Sequence, residues 1–194
     1  GQKMKLDARL AALATLIPVG RTVADIGTDH AYLPIYLIRE KECPWAIACD
    51  INPGPLTQAQ VHAARYAVSN HIDFRLGDGL RVVKPGEVEY IVIAGMGGVT
   101  IRDILAEQPA VARAAKLILQ PMTDVPLLRE WLVNNHYRFV DEKLAMDGKF
   151  LYQIMLVEDG QEQVTDPLLF ELGPRLAENG DPLFPQHLQR TISR

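Results

Sequence analysis

The stretch VADIGTDHAYLP, residues 23–34, joins a short run of β-forming residues to a turn with two acids and a histidine. Residues 22–26 predict a strand, Gly27 a sharp turn and residues 31–40 a helix. A strand that leads directly into a helix is the first half of a parallel β–α–β unit. The stretch therefore predicts an α/β fold.

The same alternation continues along the chain. A helix over residues 5–17 precedes the first strand, with Leu6, Leu10, Leu13 and Ile17 on one stripe. We expect further strands at residues 45–49, 72–76, 89–94 and 116–119, and helices at residues 52–68, 100–107 and 125–134. This order is typical of a mostly parallel, Rossmann-like sheet with helices on both faces.

The pattern changes after residue 136. Two β-rich runs, residues 137–145 and 150–157, flank the tetrapeptide MDGK, in which Asp-Gly is a strong hairpin signal. The sheet should therefore end in an antiparallel hairpin, with at least one strand opposing the parallel set. Dinucleotide dehydrogenases usually continue in parallel, whereas methyltransferases that use S-adenosyl-L-methionine (SAM) insert an antiparallel last strand beside its partner.

Composition limits the class of protein. The 194 residues are 48% hydrophobic and 23% charged, and no apolar run approaches the roughly 20 residues of a membrane span. The N-terminus lacks the apolar centre of a secretory signal. Cys43 and Cys49 lie in one apolar run, where we expect small core residues rather than a disulfide, which fits a cytoplasmic protein.

The net charge of −4 argues against a protein that binds nucleic acid over its whole surface, although it does not exclude a local basic face. We interpret scattered basic residues such as Lys5, Arg9 and Arg175 as solvated surface. After residue 159 the chain is rich in proline, and we expect Pro167, Pro174, Pro182 and Pro185 to interrupt regular structure. The expected organisation is a domain over residues 1–160 and a tail over residues 161–194.

Acids and glycines follow the first four strands. In an open α/β sheet, ligands bind at the carboxyl ends of the strands where the strand order reverses. The residues expected to line such a cleft are Asp25, Gly27, Asp29 and His30; Asp50, Ile51 and Asn52; Asp78 and Gly79; and Ala94, Gly95, Met96, Gly97 and Gly98.

These side chains favour a cationic cofactor. Asp50 suits bidentate hydrogen bonds to ribose hydroxyls, Gly27 allows close approach of the backbone, and Asp78 can accept from an adenine amino group. A pyrophosphate would be repelled by Asp29, whereas the sulfonium and amino groups of SAM are compatible with carboxylates. We therefore expect SAM, bound by Asp25, Gly27, Asp50, Ile51, Asn52, Asp78, Gly79, Ala94, Gly95 and Met96.

Simpler interpretations remain open for single residues. One alternative is that Asp29 only caps the helix that starts near residue 31, and another is that Asp78-Gly79 only forms a turn. Gln120, Pro121 and Met122 end the fifth strand at the expected cleft rim, where they could contact substrate or simply stabilise a loop. His62, His71, His136 and His187 lack ligand spacing, so we expect no metal site.

The residues after the fourth strand limit the acceptor. Gly95-Met96-Gly97-Gly98 replaces the Asn/Asp-Pro-Pro-aromatic motif of many methyltransferases that act on exocyclic amines. Neither cysteine lies there, which disfavours methylation of pyrimidine C5. The glycines could let a flat base approach the sulfonium, or serve tight strand-to-helix packing.

Together, DIGTDHAYLP, CDINPGPL, GDGL, IAGMGG and LQPM, in this order, resemble the bacterial tRNA (adenine-22-N1)-methyltransferases, the TrmK family. The resemblance covers roughly residues 4–157 and implies a class I methyltransferase domain that uses SAM to methylate N1 of an adenine in the D-arm region of tRNA. It also implies that Asp29 acts next to the acceptor base. From their places in the sequence, we expect His30 to help Asp29, and Gly97, Gly98, Gln120, Pro121 and Met122 to bind substrate.

Family members also have a C-terminal helical extension thought to help bind tRNA. We expect residues 161–194 to lead into a truncated form of it, beginning around residues 183–194. Two alternatives stay open: a SAM-dependent methyltransferase of another RNA, a protein or a small molecule, and a SAM-binding module without activity. The sequence does not indicate the oligomeric state.

Overall fold

The computed structural model describes residues 4–194, so the first three residues of the expected domain lie outside the described part. The strands are β1 (Val23–Ile26), β2 (Ala46–Asp50), β3 (Ile72–Leu76), β4 (Tyr90–Met96), β5 (Lys116–Pro121), β6 (Tyr137–Asp147) and β7 (Phe150–Asp159). The helices are α1 (Ala8–Thr15), α2 (Tyr32–Glu40), α3 (Pro53–Arg65), α4 (Gly98–Glu107), α5 (Pro109–Arg113), α6 (Val125–Asn134), α7 (Leu168–Leu172), α8 (Pro174–Asn179) and α9 (Phe184–Ile192).

The seven strands form one sheet in the order β3-β2-β1-β4-β5-β7-β6. Strands β1 to β5 are parallel, with Val23 beside both Ala46 of β2 and Tyr90 of β4. The chain moves outward from β1 on one side and from β4 on the other, so the strand order reverses between them. The mostly parallel, Rossmann-like sheet expected from the sequence is confirmed.

The terminal hairpin is also confirmed. Strand β7 inserts between β5 and β6 and runs antiparallel to both, with Leu119 opposite Met155. The turn uses Gly148 at φ +58°. Because β7 opposes β5, this turn lies at the edge of the sheet where the parallel strands end.

Helices cover both faces of the sheet, because side chains of a strand alternate between its faces. On one face, Ala24 and Ile26 of β1 pack with α4, α5 and α6. On the other, Val23 packs with α1 and α2, and Ala48 of β2 packs with α2 and α3. Cys43 and Cys49 are buried and free, as small core residues.

Some boundaries differ from expectation. Helix α1 begins at Ala8 because Asp7 caps it, its Oδ1 accepting from the Leu10 N–H at 2.8 Å. Helix α4 begins at Gly98, two residues early, and α5 was not expected. The other helices and strands lie within three residues of their expected positions.

The expectation that prolines interrupt regular structure in the tail is wrong. Residues 161–194 contain α7, α8 and α9, with Pro174 and Pro185 in the first turns of α8 and α9. Proline is tolerated there because the N–H that it lacks has no partner inside the helix.

The tail packs on the sheet edge formed by β6. Glu162 Oε1 accepts from the Phe139 N–H at 2.9 Å, and Asp181 Oδ2 accepts from the Leu144 N–H at 3.0 Å. Arg175 Nε donates to the Phe139 carbonyl at 2.9 Å. Side chains of the tail thus bond to backbone groups that a neighbouring strand would otherwise pair.

An ion pair beneath the tail fixes its position. Arg129 of α6 and Glu142 of β6 have no exposed side-chain surface and lie 2.9 Å apart. Arg129 Nη1 donates to the carbonyl of Phe170 at 2.9 Å, and Glu142 Oε1 accepts from the Arg175 N–H at 2.8 Å. Both members of the ion pair therefore connect the domain to the tail through hydrogen bonds.

Candidate active site

The strand ends predicted to bind a ligand surround two cavities of about 240 Å³ each, which adjoin at Gly27. We call them the Asp25 cavity and the Asp50 cavity. The Asp25 cavity lies where β1 and β4 end, and the Asp50 cavity where β1, β2 and β4 end. Both lie beside the reversal of strand order, which is where α/β sheets bind ligands.

The Asp50 cavity is mostly apolar with acids at its rim. Its lining includes Ile51, Met96 and Ile104, with Asp50 and Asp78 at the strand ends. Asp50 Oδ1 accepts from the Asn52 N–H at 2.9 Å, which fixes the carboxylate at the end of β2. An apolar slot flanked by two carboxylates suits a flat base with an attached sugar.

Glycines leave room for such a ligand. At Gly27, φ is +72° and a Cβ atom would lie 2.6 Å from Met96 Cε. At Gly79, φ is +58°, in the turn that carries Asp78. Side chains at these two positions would be strained, and a side chain at Gly27 would also collide with Met96.

The Asp25 cavity holds several charged groups. Asp25 is 7% exposed and accepts a 2.8 Å hydrogen bond from Thr28 Oγ1. Burial raises the pKa of the Asp25 carboxyl to about 7, although the Thr28 hydroxyl and the positive charge of Arg9 act to lower it. The carboxylates of Asp50 and Asp29 raise this pKa further.

Arg9 is a site residue that sequence reasoning missed. The interpretation of Arg9 as solvated surface is wrong, since it is half-buried in the Asp25 cavity and its Nη1 donates to Gln120 Oε1 at 2.9 Å. The expected rim position of Gln120 is also wrong. Its buried side chain accepts from the Gly95 N–H at 3.1 Å and donates to the Pro121 carbonyl at 3.2 Å.

The loop with Asp29 and His30 lies at the rim of the Asp25 cavity. Asp29 and Ala31 both have positive φ, 53° and 58°, a conformation that non-glycine residues adopt rarely. Helix α2 begins after Ala31 without a side-chain cap, so the cap interpretation of Asp29 is not supported. The Asp29 side chain is 72% exposed, with Oδ1 3.7 Å from His30 Nε2.

His30 does not stand alone. Its ring centroid lies 5.3 Å from that of Tyr32 and 5.1 Å from that of His62. The carbonyl of His30 lies 3.1 Å from His62 Nδ1. Sequence spacing gave no reason to join His62 to this loop, because the residue comes from α3.

The glycine-rich segment at the end of β4 and the start of α4 has two parts. Gly95, at φ +79°, is exposed beside Arg9, whereas a Cβ at Gly97 would lie 2.9 Å from Thr123 Oγ1. Gly98 is buried, and a Cβ there would lie 2.5 Å from the Asp124 carbonyl oxygen. Gly98 therefore serves the tight packing of strand against helix. Because it is buried, it does not support the interpretation that it contacts a base.

The remaining expected substrate residues lie nearby. Pro121 is buried at the end of β5, and Met122 is 50% exposed. The Met122 N–H donates to the Met96 carbonyl at 2.7 Å, joining the two loops. Within residues 4–194, no group of three or more His, Cys, Asp or Glu residues is arranged to hold a metal ion, and no helix is both long and apolar enough to cross a membrane.

Residues 6–155 match the family model described as a methyltransferase domain. The chain is 37% identical over 201 aligned positions to the tRNA (adenine(22)-N(1))-methyltransferase of Bacillus subtilis, covering 98% of this chain and 84% of that protein. It belongs to the TrmK family. The crystal structure of B. subtilis TrmK, an m1A22 tRNA methyltransferase, superimposes with a TM-score of 0.86 at 36% identity, covering 98% of this chain and 86% of that one.

A second TrmK-like structure bears on the ligand. The Streptococcus pneumoniae protein Sp1610, solved in complex with S-adenosyl-L-methionine, has a TM-score of 0.90 and 32% identity, covering 97% of this chain and 89% of that one. This chain therefore shares its fold with a protein that binds SAM, and the charges in its own cleft suit a cationic ligand.

Proposed function

We propose that this protein is a SAM-dependent methyltransferase that acts on N1 of adenine 22 in tRNA. The observation that carries the proposal is the pair of cavities that adjoin at Gly27, in a chain 37% identical to the B. subtilis enzyme of that name. Because the substrate is tRNA, we expect the enzyme to act in the cytoplasm.

The Asp50 cavity fits the adenosine part of the cofactor. Asp50 can bind the two ribose hydroxyls, Asp78 the adenine amino group, and Ile51, Met96 and Ile104 the faces of the base. Gly79 also lines this cavity, and Asn52, which follows Ile51, would bind the cofactor at the same end.

The Asp25 cavity fits the methionine part. Arg9 supplies a positive charge for the carboxylate, and Asp25 can accept a hydrogen bond from the amino group. The backbone at Ala94, which lines the Asp25 cavity, and at Gly95, which follows it, would bind the cofactor at this end.

Asp29 is the group best placed to assist methyl transfer. SAM supplies a methyl group on a sulfonium, and the in-plane lone pair of adenine N1 can attack it while the bond from carbon to sulfur breaks. The adenine gains the positive charge, which a carboxylate at the rim of the Asp25 cavity would stabilise. Asp29 can also accept a proton from N6, with His30 beside it as a helper.

Methyl transfer from labelled SAM to unmodified tRNA, with the modified base mapped, tests the proposal. Labelled 1-methyladenine at position 22 is the expected product. Transfer to another acceptor, or SAM binding with no transfer to any tRNA, would overturn it in favour of another methyltransferase or of a binding module.

A further inference from the structure

Three aromatic rings stand together at the mouth of the Asp25 cavity. The ring centroids of Tyr32 and His62 lie 5.0 Å apart at 19°, and those of Tyr32 and His30 lie 5.3 Å apart at 23°. These separations and small angles are those of stacked aromatic pairs. We call His30, Tyr32 and His62 the ring platform.

The ring platform is accessible and held in place. Tyr32 is 38% exposed, and the His30 side chain is 42% exposed. His62 Nδ1 lies 3.1 Å from the carbonyl oxygen of His30, and this contact joins α3 to the loop before α2. Fixed rings that already expose area lose little conformational entropy when a flat ligand covers them.

Methylation at N1 requires the target adenine to leave the base stack, so the adjacent base of the tRNA loses its stacking partner. N1 is on the Watson–Crick edge of adenine, so the target adenine must be unpaired when it is methylated. Extruding a base costs stacking energy, which a protein can offset by stacking on the bases that remain. Aromatic side chains are the usual stacking partners of unpaired RNA bases.

We propose that the ring platform stacks on a base of the tRNA beside the target adenine. This inference rests on the proposed function and adds a substrate-binding surface to it. His30 and Tyr32 line the Asp25 cavity, so a base on the ring platform would lie next to the reacting adenine. Arg65 is exposed three residues after His62 on α3, where it can approach the phosphate of the same nucleotide.

Steady-state methylation by Tyr32→Ala and Tyr32→Phe provides the test. Measured at saturating SAM, Tyr32→Ala should raise KM for tRNA about tenfold or more, which corresponds to ~1.4 kcal/mol. Tyr32→Phe keeps the ring and should retain a KM close to that of the parent. Val61→Ala, which truncates an exposed side chain next to His62, is the matched control and should leave KM unchanged.

A second measurement covers the case in which Tyr32→Ala does not fold. A tRNA fragment with 2-aminopurine beside the target adenine should lose fluorescence on binding the parent protein, and should lose less on binding Tyr32→Leu. Equal quenching, or a Tyr32→Ala enzyme with the parent KM, would overturn the inference. Failure of the parent protein to methylate adenine 22 would instead refute the proposed function.

Discussion

Arg9 Nη1 donates a 2.9 Å hydrogen bond to Oε1 of Gln120, a side chain with no exposed surface and 111 residues away in sequence. The same oxygen accepts from the Gly95 N–H at 3.1 Å. One buried amide therefore positions a charged side chain of α1 and the backbone near the end of β4. Arg9 and Ala94, the residue before Gly95, line the proposed methionine end of the cleft.

Replacing this amide should weaken cofactor binding and the fold together. Gln120→Leu leaves the Gly95 N–H without its acceptor and Arg9 without its anchor, so we expect a loss of about 1–3 kcal/mol in the free energy of unfolding and a lower affinity for SAM. Urea denaturation and titration calorimetry measure the two effects. Gln58→Leu, at an exposed position on α3, is the control, and an unchanged SAM affinity in Gln120→Leu would show that Arg9 needs no anchor.

Asp50 should contribute to SAM binding through the negative charge of its carboxylate. Asp50→Asn keeps an oxygen for the Asn52 N–H but loses the carboxylate that binds two hydroxyls. We expect SAM affinity to fall about 10- to 100-fold, from the strength of hydrogen bonds to charged groups. Equilibrium binding measures it, with Asp147→Asn in the exposed hairpin as the control. Parent affinity in Asp50→Asn would remove the ribose assignment.

Asp29 should affect methyl transfer and not cofactor binding. Its side chain is 72% exposed at the cavity rim, so Asp29→Asn is expected to fold and to bind SAM like the parent. Loss of an acid–base group commonly lowers the rate about 10²- to 10⁴-fold. Single-turnover methylation at saturating SAM and tRNA isolates that step. A variant that reacts at the parent rate would exclude any catalytic part for Asp29.

The raised pKa of Asp25 should make the ligand-free protein less stable as pH rises. The carboxyl ordinarily loses its proton near pH 3.8, but in the fold it keeps the proton until about pH 7. Between these values the folded state binds more protons than the unfolded state, so the free energy of unfolding falls with rising pH and levels off above about pH 7.

Asp25→Asn removes this dependence. Relative to the parent, it should be more stable at pH 8 by up to ~4 kcal/mol, from 1.36 kcal/mol per pKa unit, with the difference vanishing near pH 4. Urea denaturation of both proteins from pH 4 to 8 gives the difference directly, because other groups cancel. A difference that does not vary with pH would contradict the assignment.

The buried pair of Arg129 and Glu142 should hold the tail on the domain. Arg129→Met leaves the Glu142 carboxylate buried without its partner, at an expected cost of about 3–5 kcal/mol, and should expose residues 161–173 to protease. Arg21→Met breaks an exposed pair with Glu89 and should cost less than about 1 kcal/mol. Equal losses in the two variants would mean that burial of the pair does not matter.

The sheet and the cleft at the ends of its strands were predictable because their signals are local. Asp25, Gly27 and Asp50 follow apolar strands, and parallel strands bring their carboxyl ends to one edge whatever the rest of the chain does. The hairpin was predictable for the same reason, since Asp147-Gly148 lies between two β-rich runs.

Contacts between distant segments could not be predicted. Arg9 has the pattern of a surface residue on α1, and only the packing of that helix on the sheet brings it to Gln120. His62 joins His30 because α2 and α3 lie side by side. The prediction that prolines interrupt the tail was wrong for a different reason. A proline can end one helix or begin the next, and which of these it does depends on contacts that the sequence does not show.

The bonds between the tail and β6 have a consequence for how this protein avoids aggregation. An eleven-residue strand at the edge of a sheet would offer its free peptide groups to any other β-strand in a crowded cell. Glu162, Arg175 and Asp181 bond to backbone groups of that edge with side chains, which cannot extend the sheet further. Residues 161–194 therefore cover an edge through which the domain could otherwise associate.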